Sequence, residues 1–384
     1  MRISQLVALT ESMDLQHIGP DVAIFGMTTD SRQIAQGELF AALSGTQTDG
    51  RRFIAQAIEA GAVATLHDGT TTLPVDHPQL LHPEPRRALA EIAAAFYGHP
   101  ARALKMIGIT GSNGKTTVAA MVESILTVNG MTTGVIGTTG IRYPGSRAPS
   151  PLTTPEPITL HRALRAMVDH GCKAVVAEVS SHALTQHRTT GIPWQVAAFT
   201  NLTRDHLDHH GTMENYWQAK SRLFLDTPHP TAAVINRDDP FGEKLVHLCG
   251  SSGVPVTGFS LKPQKCDGFY ADAITLGWTQ SHFDLITPGR TQPLTLGAGG
   301  RCNIANALTA AAICWNLGFN ETEIVAGLAA FRPVRGRLES ICSGQPFTVI
   351  VDFAHTPDAL EHLLNTSREI TPTGKRILVF GCGG

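Results

Sequence analysis

The sequence has little charge of either sign and no pattern of paired cysteines. Asp, Glu, Lys and Arg make up only 16% of its 384 residues, and the formal net charge is −2. A chain without a basic excess has no field to hold nucleic acid or an anionic membrane, so neither is an expected partner. The 7 cysteines include no C-x-x-C pair, which argues against a disulfide framework and against a zinc ribbon.

Long apolar runs are also absent. No stretch approaches the roughly 18 residues needed to cross a bilayer, and the N-terminus lacks the apolar core of a signal peptide. Hydrophobic residues nevertheless make up 42% of the chain, which is ample material for a packed core. We therefore expect a folded cytoplasmic protein of two or three domains, at about 150 residues each, with a monomer as the default state.

Short apolar runs alternate with amphipathic helical patterns from about residue 103 onward. The runs compatible with buried strands are Leu104–Ile109, Gly134–Gly137, Ala174–Ala177, Val196–Thr200 and Ala232–Asn236. Such alternation predicts an α/β fold with a doubly wound parallel sheet. We expect this central domain to span residues 103–336, after a first α/β domain over residues 1–102.

A third domain is predicted to begin after the polar stretch Phe331–Gly336. Its pattern restarts a β-α-β unit with Phe347–Asp352, a helix near Asp358–Asn365, and a strand at Arg376–Phe380. Residues 337–384 are too few for a fold of this kind to close its own core. We therefore expect the beginning of a larger domain, and a chain that binds ligands better than it catalyses.

The segment Gly108–Thr117 has the sequence G-I-T-G-S-N-G-K-T-T between an apolar strand and an amphipathic helix. Glycines let backbone N–H groups approach phosphate oxygens, and a helix N-terminus favours negative charge. Lys115 can reach the β- and γ-phosphates of a nucleotide, and the Thr116 hydroxyl can ligate Mg²⁺. The pattern departs from the strict phosphate loop at Ile109, where a glycine is expected. It predicts ATP or GTP bound with magnesium, and an ordinary glycine-rich turn is the alternative.

Polar residues also follow a second predicted strand. Glu178 comes directly after Ala174–Ala177, where it can complete a magnesium site, although a surface glutamate is the alternative. The polar runs Ser180–His182 and Gln186–Arg188 follow. We predict that they lie at the carboxyl edge of the sheet, where ligands bind in open α/β folds.

Three histidines and two aspartates lie within the six residues from Asp205 to His210. Such a run is compatible with zinc or with a purely structural turn. No cysteine is nearby, and the phosphate loop already implies magnesium. We favour a supporting role beside Mg²⁺ and keep the other two as alternatives.

The helix predicted over Met213–Phe224 carries a lysine on its apolar face, since Lys220 shares the stripe of Met213, Trp217 and Phe224. The residues predicted on the polar side are Glu214, Gln218, Ser221 and Arg222. Spacing alone leaves open whether Lys220 extends to solvent or serves a site. A lysine whose pKa is lowered by burial can react as a neutral amine. Addition of CO₂ would give a carbamate, an anionic oxygen ligand suited to a hard cation.

Four motifs together resemble the Mur ligase family. They are T-G-S-N-G-K-T-T at 110–117, E-V-S-S-H at 178–182, T-N-L-T-R-D-H-L-D at 200–208 and D-F-A-H-T-P-D-A-L at 352–360. The resemblance includes Asp30–Arg32 and Asp49–Phe53 in the first domain, and the loop typical of this family accounts for Ile109. It implies a uridine-nucleotide-binding domain, a central P-loop ATPase domain and the start of a Rossmann-like domain that recognises an amino acid.

Within this family, the chain is similar to the enzymes that add the third amino acid of a cell-wall peptide. The resemblance implies ATP-dependent extension of UDP-MurNAc-L-Ala-D-Glu by meso-diaminopimelate or L-lysine, in cytoplasmic peptidoglycan synthesis. The substrate carboxylate would attack the γ-phosphate, giving an acyl phosphate and ADP, and the amine would then displace phosphate. The alternatives are another Mur-type ligase, a folylpolyglutamate-synthetase-like ligase, and a nucleotide-binding module without turnover.

Matching motif positions also implies the site residues. The ATP contacts would be Gly111, Ser112, Asn113, Gly114, Lys115, Thr116, Thr117, Asn303, Arg337 and Asp352. Two magnesium ions would be held, one by Thr116 and Glu178, the other by His206 and a carbamylated Lys220. The contacts to the UDP-MurNAc-dipeptide would be Ser31, Thr46, Gln47, Thr48, Thr153, Thr154, Ser180, Gln186 and Arg188. The expected catalytic groups are Lys115, Glu178, His206 and Lys220.

Overall fold

The computed structural model describes residues 1–10, 12, 14–45, 48–265 and 268–381. Its helices are α1 (Ile3–Leu9), α2 (Ile54–Glu59), α3 (Pro85–Phe96), α4 (Lys115–Val128), α5 (Pro157–Asp169), α6 (Ser181–Thr185), α7 (Leu207–His210), α8 (Met213–Leu225), α9 (Pro240–Ser251), α10 (Arg301–Asn316), α11 (Glu321–Ala329) and α12 (Pro357–Ile370). Its strands are β1 (Gln16–Ile18), β2 (Gly26–Thr28), β3 (Glu38–Ala41), β4 (Ala64–His67), β5 (Gln79–Leu81), β6 (Lys105–Thr110), β7 (Thr133–Gly137), β8 (Gly140–Tyr143), β9 (Ser146–Ala148), β10 (Ala174–Glu178), β11 (Trp194–Phe199), β12 (Ala232–Asn236), β13 (Val256–Ser260), β14 (Phe269–Leu276), β15 (Ser281–Ile286), β16 (Thr291–Leu296), β17 (Glu339–Ile341) and β18 (Val349–Val351). None of the described helices is long and apolar enough to span a membrane.

The chain packs into two compact units. The first consists of Met1–Leu104, Pro155–Asp169 and His182–Ile192, and the second comprises the other described residues. Two stretches within residues 103–336, the predicted central domain, therefore pack with the N-terminal residues.

A five-stranded sheet forms the centre of the first unit, in the order β1-β5-β4-β3-β2. Strands β2 to β5 are parallel to their neighbours, whereas β1 is antiparallel to β5. One apolar cluster joins Leu66 of the sheet to Leu6 of α1 and Leu89 of α3. A second cluster joins Phe40 of the sheet to Ile54 of α2. The sheet is thus covered by helices, as expected for parallel strands.

His161 of α5 is buried without a hydrogen-bond partner. Its side chain is 1% exposed, and neither ring nitrogen has a partner among the described residues. Burial lowers the pKa of His161 from 6.5 to about 4, and the charge of His99 acts in the same direction. The unfolded chain therefore binds this proton at a higher pH than the folded chain does. As a result, the folded state loses stability as the pH falls from 6.5 towards 4.

Replacing His161 with leucine should make the free energy of unfolding less sensitive to acid. In the wild type, this group costs up to about 1.4 kcal/mol for each pH unit below its unfolded pKa, and leucine binds no proton. Urea unfolding at about pH 7 and about pH 5 measures this difference, with the exposed His229→Leu as the control. An equal loss of stability in wild type and His161→Leu would contradict the prediction.

The second unit is built on a sheet that has eleven strands among the described residues, in the order β16-β15-β14-β13-β12-β11-β6-β10-β7-β8-β9. The strands from β13 to β7 in this order are parallel, which confirms the predicted α/β sheet. Antiparallel strands extend both edges, a feature that the apolar runs did not predict. Helices α4, α10 and α11 cover one face through a single apolar cluster that includes Val122, Leu308 and Ile324.

The last part of the chain differs from the predicted β-α-β unit. The helix forms as α12, but β18 pairs with β17 in an antiparallel two-stranded sheet. Arg376–Phe380, predicted as a strand, has no regular secondary structure. Its apolar side chains favour a strand, but a strand is stable only with neighbours that complete its hydrogen-bond ladder, and here it has none among the described residues.

Candidate active site

Adjacent parallel strands bring the predicted polar segments together. Glu178 at the end of β10 is paired with Ile109 of β6, and Phe199 at the end of β11 is paired with Thr110. The phosphate loop, Glu178 and the segment from Thr200 onward therefore leave the sheet side by side. This is the carboxyl edge where ligands bind in open α/β sheets.

The phosphate loop, which spans residues 111–114, is packed too closely for larger residues at its two glycines. Gly111 and Gly114 have φ values of 147° and 89°, which only glycine adopts readily. A Cβ atom on Gly111 would lie 2.0 Å from Thr200 Oγ1, and one on Gly114 would lie 2.5 Å from Asn306 Oδ1. The loop is thus held between the end of β11 and α10, with its backbone leading into the N-terminus of α4.

Lys115 folds back over this loop. Its Nζ donates hydrogen bonds to the carbonyl oxygens of Gly111 at 2.7 Å and Ser112 at 3.0 Å. Burial lowers the pKa of Lys115, while the carboxylates of Glu178 and Asp205 oppose the shift. The loop's own carbonyls therefore keep this cationic group where a bound phosphate would need it.

The Glu178 carboxylate is 1% exposed and faces two threonines. Its Oε2 accepts hydrogen bonds from the hydroxyls of Thr116 at 2.9 Å and Thr138 at 3.0 Å, and its Oε1 accepts from the Thr138 N–H at 3.0 Å. Gly137 makes room for it, since a Cβ there would lie 2.1 Å from Oε1. Carboxylate and hydroxyl oxygens are the ligands that Mg²⁺ prefers, so Thr116 and Glu178 fit a magnesium ion.

Arg337 reaches the same point from the segment after α11. Its Nη2 lies 3.4 Å from Thr116 Oγ1, and its guanidinium lies 4.6 Å from the centre of the Phe353 ring. Burial lowers the pKa of Arg337, and the carboxylates of Glu178 and Asp352 oppose this shift. Arginine keeps its charge even so, so a permanent cation stands beside the candidate magnesium ligands.

Lys220 of α8 is 2% exposed, and its ammonium ends at the phosphate loop rather than in solvent. Its Nζ donates to the Gly111 carbonyl oxygen at 3.0 Å and lies 4.5 Å from the centre of the Tyr216 ring. Burial lowers the pKa of Lys220 well below its usual value, the charge of Lys115 lowers it further, and Asp205 opposes the shift. The helix stripe that carries Lys220 was therefore predicted correctly.

One residue of the polar side of α8 was predicted wrongly. Ser221 is buried, whereas Glu214 and Gln218 are exposed. The Ser221 hydroxyl donates to the Gln218 carbonyl oxygen at 2.9 Å. A serine that bonds within its own helix satisfies its hydroxyl locally and can face the interior.

The histidines of the run from Asp205 to His210 have different neighbours and different degrees of burial. His206 Nε2 lies 3.5 Å from Asp205 Oδ2, and desolvation lowers the pKa of His206 while Asp205 opposes this. His210 is buried, and its Nε2 lies 2.9 Å from Ser181 Oγ. Within the described part of the chain, no three His, Cys, Asp or Glu side chains are arranged as a metal site.

The other predicted residues of the second unit lie around the same strand ends. Asn303 is buried on α10, where its Nδ2 donates to the Gly299 carbonyl oxygen at 2.8 Å. Thr154 Oγ1 donates to the backbone oxygen of Glu178 at 2.8 Å and accepts from the Ser180 N–H at 3.0 Å. Thr153 Oγ1 lies 3.3 Å from Thr138 Oγ1.

The remaining predicted substrate contacts belong to the first unit. The Ser31 hydroxyl donates to Gln56 Oε1 at 3.2 Å. Arg188 pairs with Glu156 at 3.0 Å, and Gln186 Oε1 accepts from Arg188 Nε at 3.1 Å. Thr48 is also in this unit, whereas Thr46 and Gln47 lie outside the described residues.

Two residues that contact the predicted ones were not among the site residues predicted from the sequence. Thr138 binds both oxygens of Glu178, and Asn201 binds the backbone of the phosphate loop through its Oδ1, 2.9 Å from the Asn113 nitrogen. Thr138 directly follows the parallel strand β7, and Asn201 lies two residues after the end of the parallel strand β11. Polar residues that follow parallel strands meet at one edge of the sheet. This rule was applied to the ends of β6 and β10, and applying it to β7 and β11 would have identified Thr138 and Asn201.

Family models and individual known proteins match this chain along most of its length. The Mur ligase family catalytic domain matches residues 23–97, the Mur ligase middle domain matches 109–314, and the Mur ligase glutamate ligase domain matches 336–384. A UDP-N-acetylmuramoyl-L-alanyl-D-glutamate–2,6-diaminopimelate ligase of Geobacillus kaustophilus is 41% identical over 96% of this chain and 75% of its own length. A solved structure of a ligase with that name is 28% identical, with a TM-score of 0.77 over 94% of this chain and 73% of its own. A folylpolyglutamate synthase structure from Mycobacterium tuberculosis shares the fold at 22% identity, with a TM-score of 0.62 over 73% of this chain and 70% of its own.

The chain belongs to the Mur ligase family. This confirms the resemblance carried by the four motifs, and with it the prediction of an ATP-dependent ligase. The chain spans about three quarters of the length of the Geobacillus relative.

Proposed function

We propose that this protein uses ATP to join the terminal carboxylate of UDP-MurNAc-L-Ala-D-Glu to a diamino acid, in the cytoplasmic stage of peptidoglycan synthesis. The observation that carries the proposal is the cluster of Lys115, Glu178 and Lys220 at one phosphate loop. It occurs in a chain 41% identical to a relative named for the ligation of 2,6-diaminopimelate. That name makes meso-diaminopimelate the first candidate for the amine, ahead of L-lysine.

We assign three functional domains to the chain. Residues 1–102 bind the uridine nucleotide, residues 103–336 bind ATP, and residues 337–384 belong to the domain that recognises the diamino acid. The ranges matched by the family models, 23–97, 109–314 and 336–384, support this division.

The first step transfers the γ-phosphoryl group to the substrate carboxylate. A carboxylate oxygen attacks the γ-phosphorus, the bond to the β-phosphate oxygen breaks, and ADP leaves with that electron pair. Both reactants are anions, so the step depends on cations that offset their repulsion and hold the charge of the transition state. Lys115 and Arg337 supply two such charges, and Mg²⁺ held by Thr116 and Glu178 would supply more.

The second step forms the amide. The neutral amine of the diamino acid attacks the acyl phosphate carbon, phosphate leaves with the former carboxylate oxygen, and the amine loses a proton. Splitting the ligation in this way replaces a poor leaving group, hydroxide, with phosphate. The substrate contacts proposed in the second unit, Thr153, Thr154 and Ser180, would hold the acyl group for this attack.

Lys220 is proposed to carry a carbamate that serves a second magnesium ion together with His206. Lys115 and Lys220 both donate to the Gly111 carbonyl oxygen, so two ammonium groups in one buried place would repel each other. A neutral Lys220 amine can add CO₂ and release a proton, which turns this repulsion into an attraction. The carbamate oxygens are also of the type that a hard cation prefers.

Release of ADP with matched substrates tests the proposed function. The chain should release ADP from ATP and Mg²⁺ when UDP-MurNAc-L-Ala-D-Glu and meso-diaminopimelate are both present, with L-lysine as the comparison amine. A folate with glutamate should support no release. Activity with the folate pair alone would favour the folylpolyglutamate-synthetase alternative. Nucleotide binding without ADP release from any pair would favour a binding module.

A further inference from the structure

Thr138, which follows β7, holds Glu178 through both carboxylate oxygens. Its backbone N–H donates to Oε1 at 3.0 Å and its hydroxyl donates to Oε2 at 3.0 Å. Thr116 contacts only Oε2. Thr138 is therefore the residue that fixes the plane of the carboxylate, whereas the Thr116 contact alone would leave it free to rotate.

The hydrogens in this cluster have a fixed direction. An ionised carboxylate only accepts hydrogen bonds, so the single hydroxyl hydrogen of Thr138 points to Glu178. The contact between Thr138 Oγ1 and Thr153 Oγ1, at 3.3 Å, then needs the hydrogen of Thr153. The hydroxyls thus form a chain from Thr153 through Thr138 to the carboxylate.

We propose that Thr138 is a positioning residue that orients Glu178 towards the divalent cation bound with the nucleotide. This inference rests on the proposed role of Glu178 as a magnesium ligand. A ligand carboxylate binds a metal best when its other contacts hold it in the binding orientation, and removing such a contact typically weakens metal affinity about 10- to 100-fold. Gly137 lets the carboxylate lie close to the backbone of β7, since a Cβ there would lie 2.1 Å from Oε1, and the two hydrogen bonds from Thr138 then hold its orientation.

The test compares the affinity of ADP with Mg²⁺ and with EDTA, measured by titration calorimetry. Thr138→Val keeps the shape of the side chain and the backbone N–H but loses the hydroxyl. In this variant, the ratio of the ADP affinity in Mg²⁺ to the ADP affinity in EDTA should fall about 10-fold or more. The affinity in EDTA should not change, which also shows that the site is folded. Thr138→Ser, which keeps the hydroxyl, should retain the wild-type gain.

A matched control stands next to this residue. Thr139 Oγ1 accepts from Arg142 Nη1 at 2.7 Å, whereas the hydrogen bonds to the Glu178 carboxylate come from Thr116 and Thr138, so Thr139→Val should leave ADP affinity unchanged in both conditions. The inference for Thr138 alone would be overturned if Mg²⁺ raised the ADP affinity of Thr138→Val as much as that of the wild type. It would also be overturned if Thr138→Ser lost as much of this Mg²⁺ effect as Thr138→Val does. A wild-type chain whose ADP affinity does not respond to Mg²⁺ would refute the proposed magnesium site, and the inference with it.

Discussion

Replacing Lys115 with alanine is expected to reduce ATP turnover by at least about 10³-fold, because a cation that stabilises a phosphoryl-transfer transition state is worth that much. The ammonium is held by two carbonyl oxygens of the loop, Gly111 and Ser112, and needs little rearrangement to meet a phosphate. ADP release in the presence of both substrates measures the loss. ATP binding should weaken less than turnover, because the loop backbone still meets the phosphates.

Lys105 provides the matched control for that variant. It is an exposed lysine at the opposite end of β6, far along the strand from the phosphate loop. Lys105→Ala should keep wild-type turnover. Turnover retained in Lys115→Ala would contradict the assignment of the phosphate loop.

Replacing Lys220 with alanine is expected to remove both the proposed carbamate and most of the activity, by about 10²-fold or more, as for the loss of one group that stabilises transition-state charge. The phosphate loop backbone and Lys115 remain in this variant, so ATP binding should weaken less than turnover. Carbon-13 NMR in labelled bicarbonate should show a carbamate signal in the wild type and none in Lys220→Ala. The same samples give the rate of ADP release.

Lys244 is the control for this second substitution. Its side chain is 56% exposed and pairs with Glu214 at 3.8 Å, so Lys244→Ala should keep both the signal and the activity. Full activity in Lys220→Ala, together with an unmodified Lys220 in the wild type in bicarbonate buffer, would contradict the proposed carbamate.

The parts of this structure that were predicted from sequence depend on local pattern. Buried parallel strands have continuous apolar runs, so β6, β10 and β12 were found within one or two residues of their observed ends. The phosphate loop has fixed spacing between its glycines and Lys115. Lys220 was placed on the buried face of α8 because helical periodicity fixes which residues share a face.

The parts that were missed depend on contacts between distant segments. The stretches Pro155–Asp169 and His182–Ile192 pack with the N-terminal residues, although nothing in their local pattern distinguishes them from their neighbours. Thr138 meets Glu178 across 40 positions of the chain, so only the order of strands in the sheet reveals the pair. Arg376–Phe380 has the composition of a strand, but a strand also needs partners, which local sequence cannot supply.

The central claim is that this chain activates a substrate carboxylate by phosphorylation. The most direct measurement uses UDP-MurNAc-L-Ala-D-Glu labelled with oxygen-18 in the terminal carboxylate of its D-glutamate. With ATP, Mg²⁺ and meso-diaminopimelate, each amide bond formed should transfer one labelled oxygen to inorganic phosphate, seen by mass spectrometry. Inorganic phosphate without label, released as the amide forms, would contradict the acyl-phosphate route and the account built on it.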